Sequence, residues 1–554
     1  MSTATHSPVP GAAAPGTGQP MVELDGGPSA PGWLPLEELV RPFGEHRRGI
    51  TFLDGRHRQT LSYAELAGRA AAVAARLGEY GVRPGDRVAA TAGNDLDSVL
   101  LLMGVWAAGA AFVSVPKPSQ RDAGQFDQRF GGLLKSCDCG FLVTDEPEPG
   151  LAAHGGLRVV PAAALHDLPA LTGGTPDLLV GDTALIQFTS GSVSAPKGVA
   201  INGMTLARHA EMLRRRFGVE ADQDKIVSWL PLYHDMGLIA IFLQALTARA
   251  DLVLMPPTAF AFGPARWLNT LAEEHGTFSA APDFAYRMAA AAPYDAGLDL
   301  SRVRMLLSGG ERVNWRSLQD FQRVTEPLGL RRDAVSPCYG LAENVVGVSS
   351  KRIGADPRLG PGDNVALGAP MPGVSVRAPQ GLPPGPVLMR GDFLFDGYHT
   401  VDGYRPAPAA GEWHDTGDDG FIQDGELHVV GRRAEVVSMG GHNVFAEDVE
   451  AAVHDTGGAD VRACAAFRLS TSGQQFGLMV EVPPRPARTP DEIAAIGART
   501  RAAVRNALGV RVATVLLVRA GTIPRTTSGK VQRAHCRTLH AGGQLGRRLL
   551  AAVE

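Results

Sequence analysis

Apolar positions along the chain follow two periods. Ala64, Leu66, Ala70, Val73 and Leu77 recur at helical spacing, and that pattern stops near Gly81. Arg83-Pro84-Gly85-Asp86 reads as a turn, Arg87–Ala90 as the start of a strand, Ser98–Gly109 as an apolar helix and Ala111–Val115 as a strand. Strand and helix alternate in this way to about residue 400, which predicts helices layered on mostly parallel sheets. The pattern breaks at Arg405-Pro406-Ala407-Pro408. A strand-rich stretch with glycine turns follows at Gly420–Val430. After Gly431 comes a compact α+β unit with a proline-rich loop at Pro483–Pro490 and a helix over Asp491–Leu508. Residues 1–32, rich in Pro, Gly, Ala, Ser and Thr, read as a disordered leader. The predicted fold is α/β, with a large body over 33–431 and a small C-terminal domain over 432–554.

Composition narrows the class. Hydrophobic residues make up 44% and charged residues 20% of 554 residues, as in ordinary globular chains. A formal net charge of −4 gives no general attraction to nucleic acid or to an anionic membrane. The longest apolar stretch, Val99–Val113, is shorter than the roughly 18–20 residues of a membrane span, and no secretory signal is legible at the N-terminus. The five cysteines include no pair of pairs at zinc spacing, so free thiols in a reducing cytoplasm are expected. Only six of the 53 basic residues are lysines, at 117, 135, 197, 225, 351 and 530. Where the chain keeps a lysine among so many arginines, the compact ammonium itself is a candidate functional group.

Six polar islands punctuate this frame. Thr189-Ser190-Gly191-Ser192-Val193-Ser194-Ala195-Pro196-Lys197-Gly198 follows the apolar strand Ala184–Phe188. Its glycines allow tight turns that aim N–H groups at an anion, its hydroxyls add donors and Lys197 adds charge. It is not the Walker arrangement, and a flexible surface loop is the plain alternative. Trp229–Leu238 contains His234-Asp235 beside Gly237, a pair that suits catalysis, metal binding or a structural role. Ser308-Gly309-Gly310-Glu311 and Tyr339-Gly340-Leu341-Ala342-Glu343 each place a carboxylate at the end of an apolar strand, where α/β sheets hold their ligands. Thr416-Gly417-Asp418 with Gly431-Arg432, and Pro524–Lys530, complete the set.

In this order the islands resemble the adenylate-forming superfamily of acyl-CoA synthetases, peptide-synthetase adenylation domains and luciferases, over about residues 40–540. Tyr233–Gly237 and Pro282-Asp283-Phe284-Ala285-Tyr286 look most like fatty-acyl-AMP ligases. The resemblance implies ATP and Mg²⁺ as cofactors, and an acid–AMP ligase that joins a small-molecule carboxylic acid to AMP with release of pyrophosphate. It also implies that the C-terminal domain is a mobile lid. Thr189, Ser190, Gly191, Ser192 and Lys197 would hold the β- and γ-phosphates, and Glu343 would bind Mg²⁺. Tyr339 would stack on adenine, with the backbone at Gly310 and Glu311 along its edge. Asp418 would accept from the ribose hydroxyls and Arg432 would add a ribose or phosphate contact. His234 would sit beside the acid, and Lys530 would bridge carboxylate and α-phosphate in the transition state.

Three departures bear on the acceptor. Val193 replaces a second hydroxyl residue in the loop. Ala434 stands where relatives carry Asp or Lys at the hinge. The run from Val348 to Gly368 has no room for the long insert that disfavours CoA in fatty-acyl-AMP ligases. The expected acceptor is an acyl carrier protein acting in trans. The alternatives are CoA, an unusual acid such as nitrite in secondary metabolism, or a non-catalytic nucleotide binder. Phe278, Ala280, Ala281 and Met236 are candidates for an apolar pocket, or simply for core.

Overall fold

The computed structural model describes residues 7–13, 19–29, 31–40, 47–55, 57–115, 131–132, 134–145, 156–170, 183–189, 197–295, 297–439, 442–469, 475–484, 488–525 and 530–554. The described residues form two compact units, one drawn from those up to 415 with 421–429, the other from 416–420 and 430–554.

The helical stripe read from sequence becomes Tyr63–Glu79, with Leu66, Ala70, Val73 and Leu77 buried. Ser62 starts it: its hydroxyl accepts from the Glu65 amide while the Glu65 carboxylate accepts from the Ser62 amide. The apolar helix is Leu96–Ala107. It packs so closely on the first that a Cβ at Gly104 would lie 2.5 Å from Val73 Cγ1.

Two large sheets organise the first unit. In one, strands Val335–Tyr339, Met305–Ser308, Phe278–Ala281, Lys225–Ser228, Asp251–Leu254 and Gly49–Asp54 run parallel in that order. In the other, Thr183–Thr189, Ala111–Ser114, Arg87–Ala90, Phe141–Val143 and Arg158–Val160 are parallel, and an antiparallel wing of Lys197–Asn202, Gly397–Thr400 and Gly403–Pro406 extends it. The α/β class and the parallel centres are as expected. A third, six-stranded sheet is not, because the pairs described in it are antiparallel.

That third sheet corrects the leader reading. Pro20–Asp25 is a strand paired with Val374–Pro379, and Ser7–Ala13 pairs with it in turn. Val22 and Leu24 enter the main core, and Glu23 pairs with Arg377 and Arg390 on the other face. The alternation Met21-Val22-Glu23-Leu24 is a strand signal too short to stand out from the Pro/Gly-rich composition around it.

The second unit has its own core, with strands Ala463–Arg468, Phe476–Val482, Val512–Arg519 and Leu549–Val553 in one sheet. Helices Ala446–Gly457 and Pro490–Leu508 contribute buried Val449, Val453, Ile496 and Val504 to that core. Among the described residues no helix is long and apolar enough to cross a membrane.

Candidate active site

Strand Val335–Tyr339 ends at Gly340, whose place admits no side chain, since a Cβ there would lie 1.7 Å from the Val346 carbonyl oxygen. The chain then makes the turn Ala342–Asn344 that presents Glu343, and Val345 follows with a positive φ of 63°. The neighbouring loop is tied down from a helix. His209, on Gly203–Phe217, accepts from the Gly347 amide at 3.1 Å, and Asn344 donates to the Gly347 carbonyl at 2.6 Å. Burial lowers the His209 pKa to about 3, so it serves as a neutral acceptor.

Around Glu343 the structure gathers residues from distant strands. Tyr398 donates its hydroxyl to Glu343 Oε1 at 2.8 Å, and the Phe395 amide donates to the Glu343 carbonyl at 3.0 Å. Lys197 Nζ lies 4.7 Å from the centre of the Tyr398 ring. Sheet register explains that contact. Val199 is paired with Tyr398, so Lys197, two residues earlier, lies diagonally across on the same face. His414 packs against Phe395 and Tyr398 at ring distances of 5.3 and 6.5 Å. Burial lowers its pKa; the Glu343 and Asp415 carboxylates oppose that shift and Lys197 adds to it.

Lys197 and Thr189 are partners across an antiparallel ladder. Ser190, Gly191, Ser192 and Val193 lie outside the described residues. Tyr339 closes its strand opposite Ser349. Gly310 has a φ of +77°, and a Cβ there would lie 3.5 Å from Met236 Cε. The Ser308–Glu311 and Tyr233–Gly237 islands therefore adjoin. Glu311 turns its side chain to the Phe284 amide, accepting at 2.6 Å. His234 Nδ1 lies 2.7 Å from Asp235 Oδ1 and 3.3 Å from the Met236 amide nitrogen. Asn94 pins the same loop by donating to the Leu230 carbonyl at 2.9 Å and accepting from the Leu232 amide at 3.1 Å. Phe278 is fully buried and packs on Phe217 and under Arg304, which settles it as core.

In the second unit Asp418 follows Gly417, whose φ is +76°. Its amide donates to Thr416 Oγ1 at 3.1 Å, and its Oδ1 lies 2.9 Å from Arg432 Nε. Arg432 also donates to the Thr416 carbonyl at 3.1 Å, so the two expected ribose residues form one ion-paired group. Lys530 is half-buried and precedes helix Arg533–Ala541. Arg533 meets Glu435, Glu447 and Glu450 together. All five cysteines are free.

Residues 41–404 match the AMP-binding enzyme family. The chain belongs to that family. A long-chain-fatty-acid–AMP ligase, FadD26 of Mycobacterium marinum, is 31% identical over 92% of this chain and 96% of its own length. A 4-hydroxyphenylalkanoate adenylyltransferase of the same organism is 31% identical over 86% and 85%. A structure from work on fatty acyl-adenylate ligases of E. coli and L. pneumophila superposes with a TM-score of 0.80 at 25% identity, covering 92% of this chain and 98% of that one. This AMP-binding enzyme is an acid–AMP ligase that activates its acid as an acyl adenylate, using ATP.

The residues around Glu343 fit the divalent cation that such chemistry implies. Tyr398 is the only side-chain hydrogen-bond partner of Glu343 among the described residues, and it occupies one oxygen. A hard carboxylate oxygen remains for a cation whose other ligands are phosphate and water, as Mg²⁺ prefers. No group of three His, Cys, Asp or Glu residues among the described ones could hold a metal by itself. The sequence motifs name Glu343 and Lys197; Tyr398, His414 and His209, which the structure places around them, carry no motif of their own. Tyr398 lies 55 residues beyond Glu343 in a short strand with no motif of its own.

Proposed function

We propose that the protein activates a fatty or aryl-alkanoic acid as acyl-AMP and hands the acyl group to a carrier-protein thiol in trans, in the reducing cytoplasm, within a secondary-metabolic pathway. A carboxylate oxygen attacks the α-phosphorus of ATP, the new O–P bond forms and the bond to pyrophosphate breaks. The carrier thiol then attacks the acyl carbon, a thioester forms, AMP leaves and the thiol proton is lost. Lys197 holds the leaving phosphates, together with Thr189, Ser190, Gly191 and Ser192. Glu343 is the ligand of Mg²⁺, which supplies charge neutralisation to the phosphates when bound. Tyr339 stacks on adenine, with the backbone at Gly310 and Glu311 along its edge. Asp418 and Arg432 hold the ribose, His234 sits beside the acid, and Lys530 bridges the two reacting anions.

The observation that carries this reading is the meeting of Glu343 and Lys197 on one aromatic residue, in a chain of this family. The names of its relatives support the choice of acid. The test is ATP–pyrophosphate exchange over a panel of fatty and aryl-alkanoic acids, followed by product analysis with excess CoA or with a carrier protein bearing its thiol arm. Acid-dependent exchange and a lingering adenylate that only the carrier discharges are expected. Absence of exchange with every carboxylic acid overturns the activation step. Rapid stoichiometric acyl-CoA overturns the carrier assignment.

A further inference from the structure

Lys197 and Glu343 carry opposite charges and contact the same side chain, an arrangement open to a direct ion pair. Here the side chain of Glu343 is bonded to Tyr398 instead. The same phenol offers its ring face to the Lys197 ammonium. An aromatic face attracts a cation without neutralising it, and a phenolic hydroxyl on a carboxylate fixes its orientation while leaving it anionic.

Tyr398 is itself held firmly. Its strand Gly397–Thr400 lies between Lys197–Asn202 and Gly403–Pro406, antiparallel to both, so its position is set from both sides. Phe395 packs against the ring at 4.5 Å between centroids. His414, buried to 8% exposure, closes the wall beside both. The Phe395 amide also grips the backbone of Glu343. The phenol is thus fixed relative to both charged residues by sheet register and packing.

We propose that Tyr398 is a positioning residue that orients Glu343 toward a divalent cation, seats Lys197 for a phosphate, and keeps the two from pairing with each other. This rests on the proposed ATP-dependent reading of the same site. It assigns the two halves of one side chain to two tasks, which two substitutions separate. Tyr398→Phe keeps the ring and removes the hydroxyl, so it strikes Glu343. Tyr398→Leu removes both, so it strikes Lys197 as well.

The experiment measures binding without turnover. Mn²⁺ is titrated by electron paramagnetic resonance into the full-length enzyme with α,β-methylene-ATP, and pyrophosphate affinity is measured by calorimetry without metal. Tyr398→Phe should weaken Mn²⁺ binding about tenfold, as loss of a partner that orients a metal ligand does, and leave metal-free pyrophosphate affinity unchanged. Tyr398→Leu should also weaken pyrophosphate about fivefold, the size of a lost cation–π contact. In combination with Glu343→Gln, the Phe substitution should add no further loss of Mn²⁺ affinity, because it acts through that carboxylate. Melting temperatures identify any variant that is merely unfolded, and the Phe variant, lacking one oxygen atom, keeps the test open if the Leu variant fails to fold. Wild-type Mn²⁺ affinity in a folded Tyr398→Phe overturns the proposal while leaving the functional reading intact. An additive loss with Glu343→Gln overturns it too. Failure of the wild type to bind Mn²⁺ with the nucleotide analogue overturns the functional reading, and the proposal with it.

Discussion

Lys197 and Glu343 in the first unit meet through the phenol of Tyr398, whereas Arg533 in the second unit meets Glu435, Glu447 and Glu450 directly. The Arg533 side chain is only 14% exposed and that of Glu435 only 5%. Burial works against the charge on Arg533, but Glu447, Glu450 and Glu435 outweigh it and raise its pKa well above the ordinary value. Such a cluster consumes its own charges, so it specifies packing. It ties the turn Arg433–Glu435 and helix Ala446–Gly457 to the helix that follows Lys530. The group around Tyr398 instead links an acidic and a basic residue through one phenol, both at partly exposed positions. Charge density alone does not separate the two regions; how the charges are paired does.

The sharpest test of this contrast is Lys530, which lies in the second unit but is assigned to chemistry. Lys530→Ala should lower adenylate formation about 10³-fold while ATP binding, measured by calorimetry, is retained; a charge pair at an effective dielectric near 20 is worth about this much in a transition state. Lys530→Arg should rescue poorly, because a planar fork does not replace a point charge. Near-normal exchange in the alanine variant would remove Lys530 from the mechanism.

Arg533→Met should do the reverse, costing stability first. Breaking a buried ion cluster by removing one partner typically costs about 3–5 kcal/mol, here leaving three carboxylates together. The loss should appear in scanning calorimetry as a lowered transition of the second unit. If the melting profile is unchanged, the cluster is not structural and the contrast fails.

Asp283 tests a buried charge inside the first unit. Burial, and then the Glu311 carboxylate, raise its pKa from 3.8 to about 7, against hydrogen bonds from the Asn314 amide and Ser317. Between these values the folded chain holds a proton that the unfolded chain releases. The stabilisation from this group is therefore fully present below about pH 4 and is lost as pH rises through 7. Denaturant titrations should show wild type gaining on Asp283→Asn as pH falls from 8 to about 5, by on the order of 1–3 kcal/mol. A pH-independent difference would show that Asp283 does not titrate in this window.

An effect of similar size is expected at Asp418, which already has Arg432 as a partner. Asp418→Ala should weaken ATP by about 1–3 kcal/mol through unpaired ribose hydroxyls. 2′,3′-Dideoxy-ATP, which lacks those hydroxyls, should bind wild type and variant alike. If the variant loses affinity for both nucleotides equally, Asp418 acts on the fold of its unit and not on ribose.

Much of this protein was legible before its structure. Helix Tyr63–Glu79 and strand Arg87–Ala90 follow from spacing alone, because a buried face must repeat at the period of its backbone. Glu343 and Lys530 stand in short polar islands whose order resembles a family, and family membership is confirmed by the match over 41–404. Such islands can be read locally because tight turns need glycines at fixed offsets, as Gly340 shows.

What only the tertiary structure decided has one physical cause, the register of strands that are distant in sequence. The strand Pro20–Asp25 is stable because Val374–Pro379 completes its ladder, 350 residues away. Tyr398 reaches Glu343 and Lys197 because Val199 happens to face it across a ladder; a slip of one residue would turn its ring to the opposite face. The sequence by itself determined which residue types were available and which periods would bury them. Pairing across the sheets decided which charged residues meet directly and which meet through an aromatic ring, because loop closure and ladder formation depend on the whole fold and leave no local pattern to read.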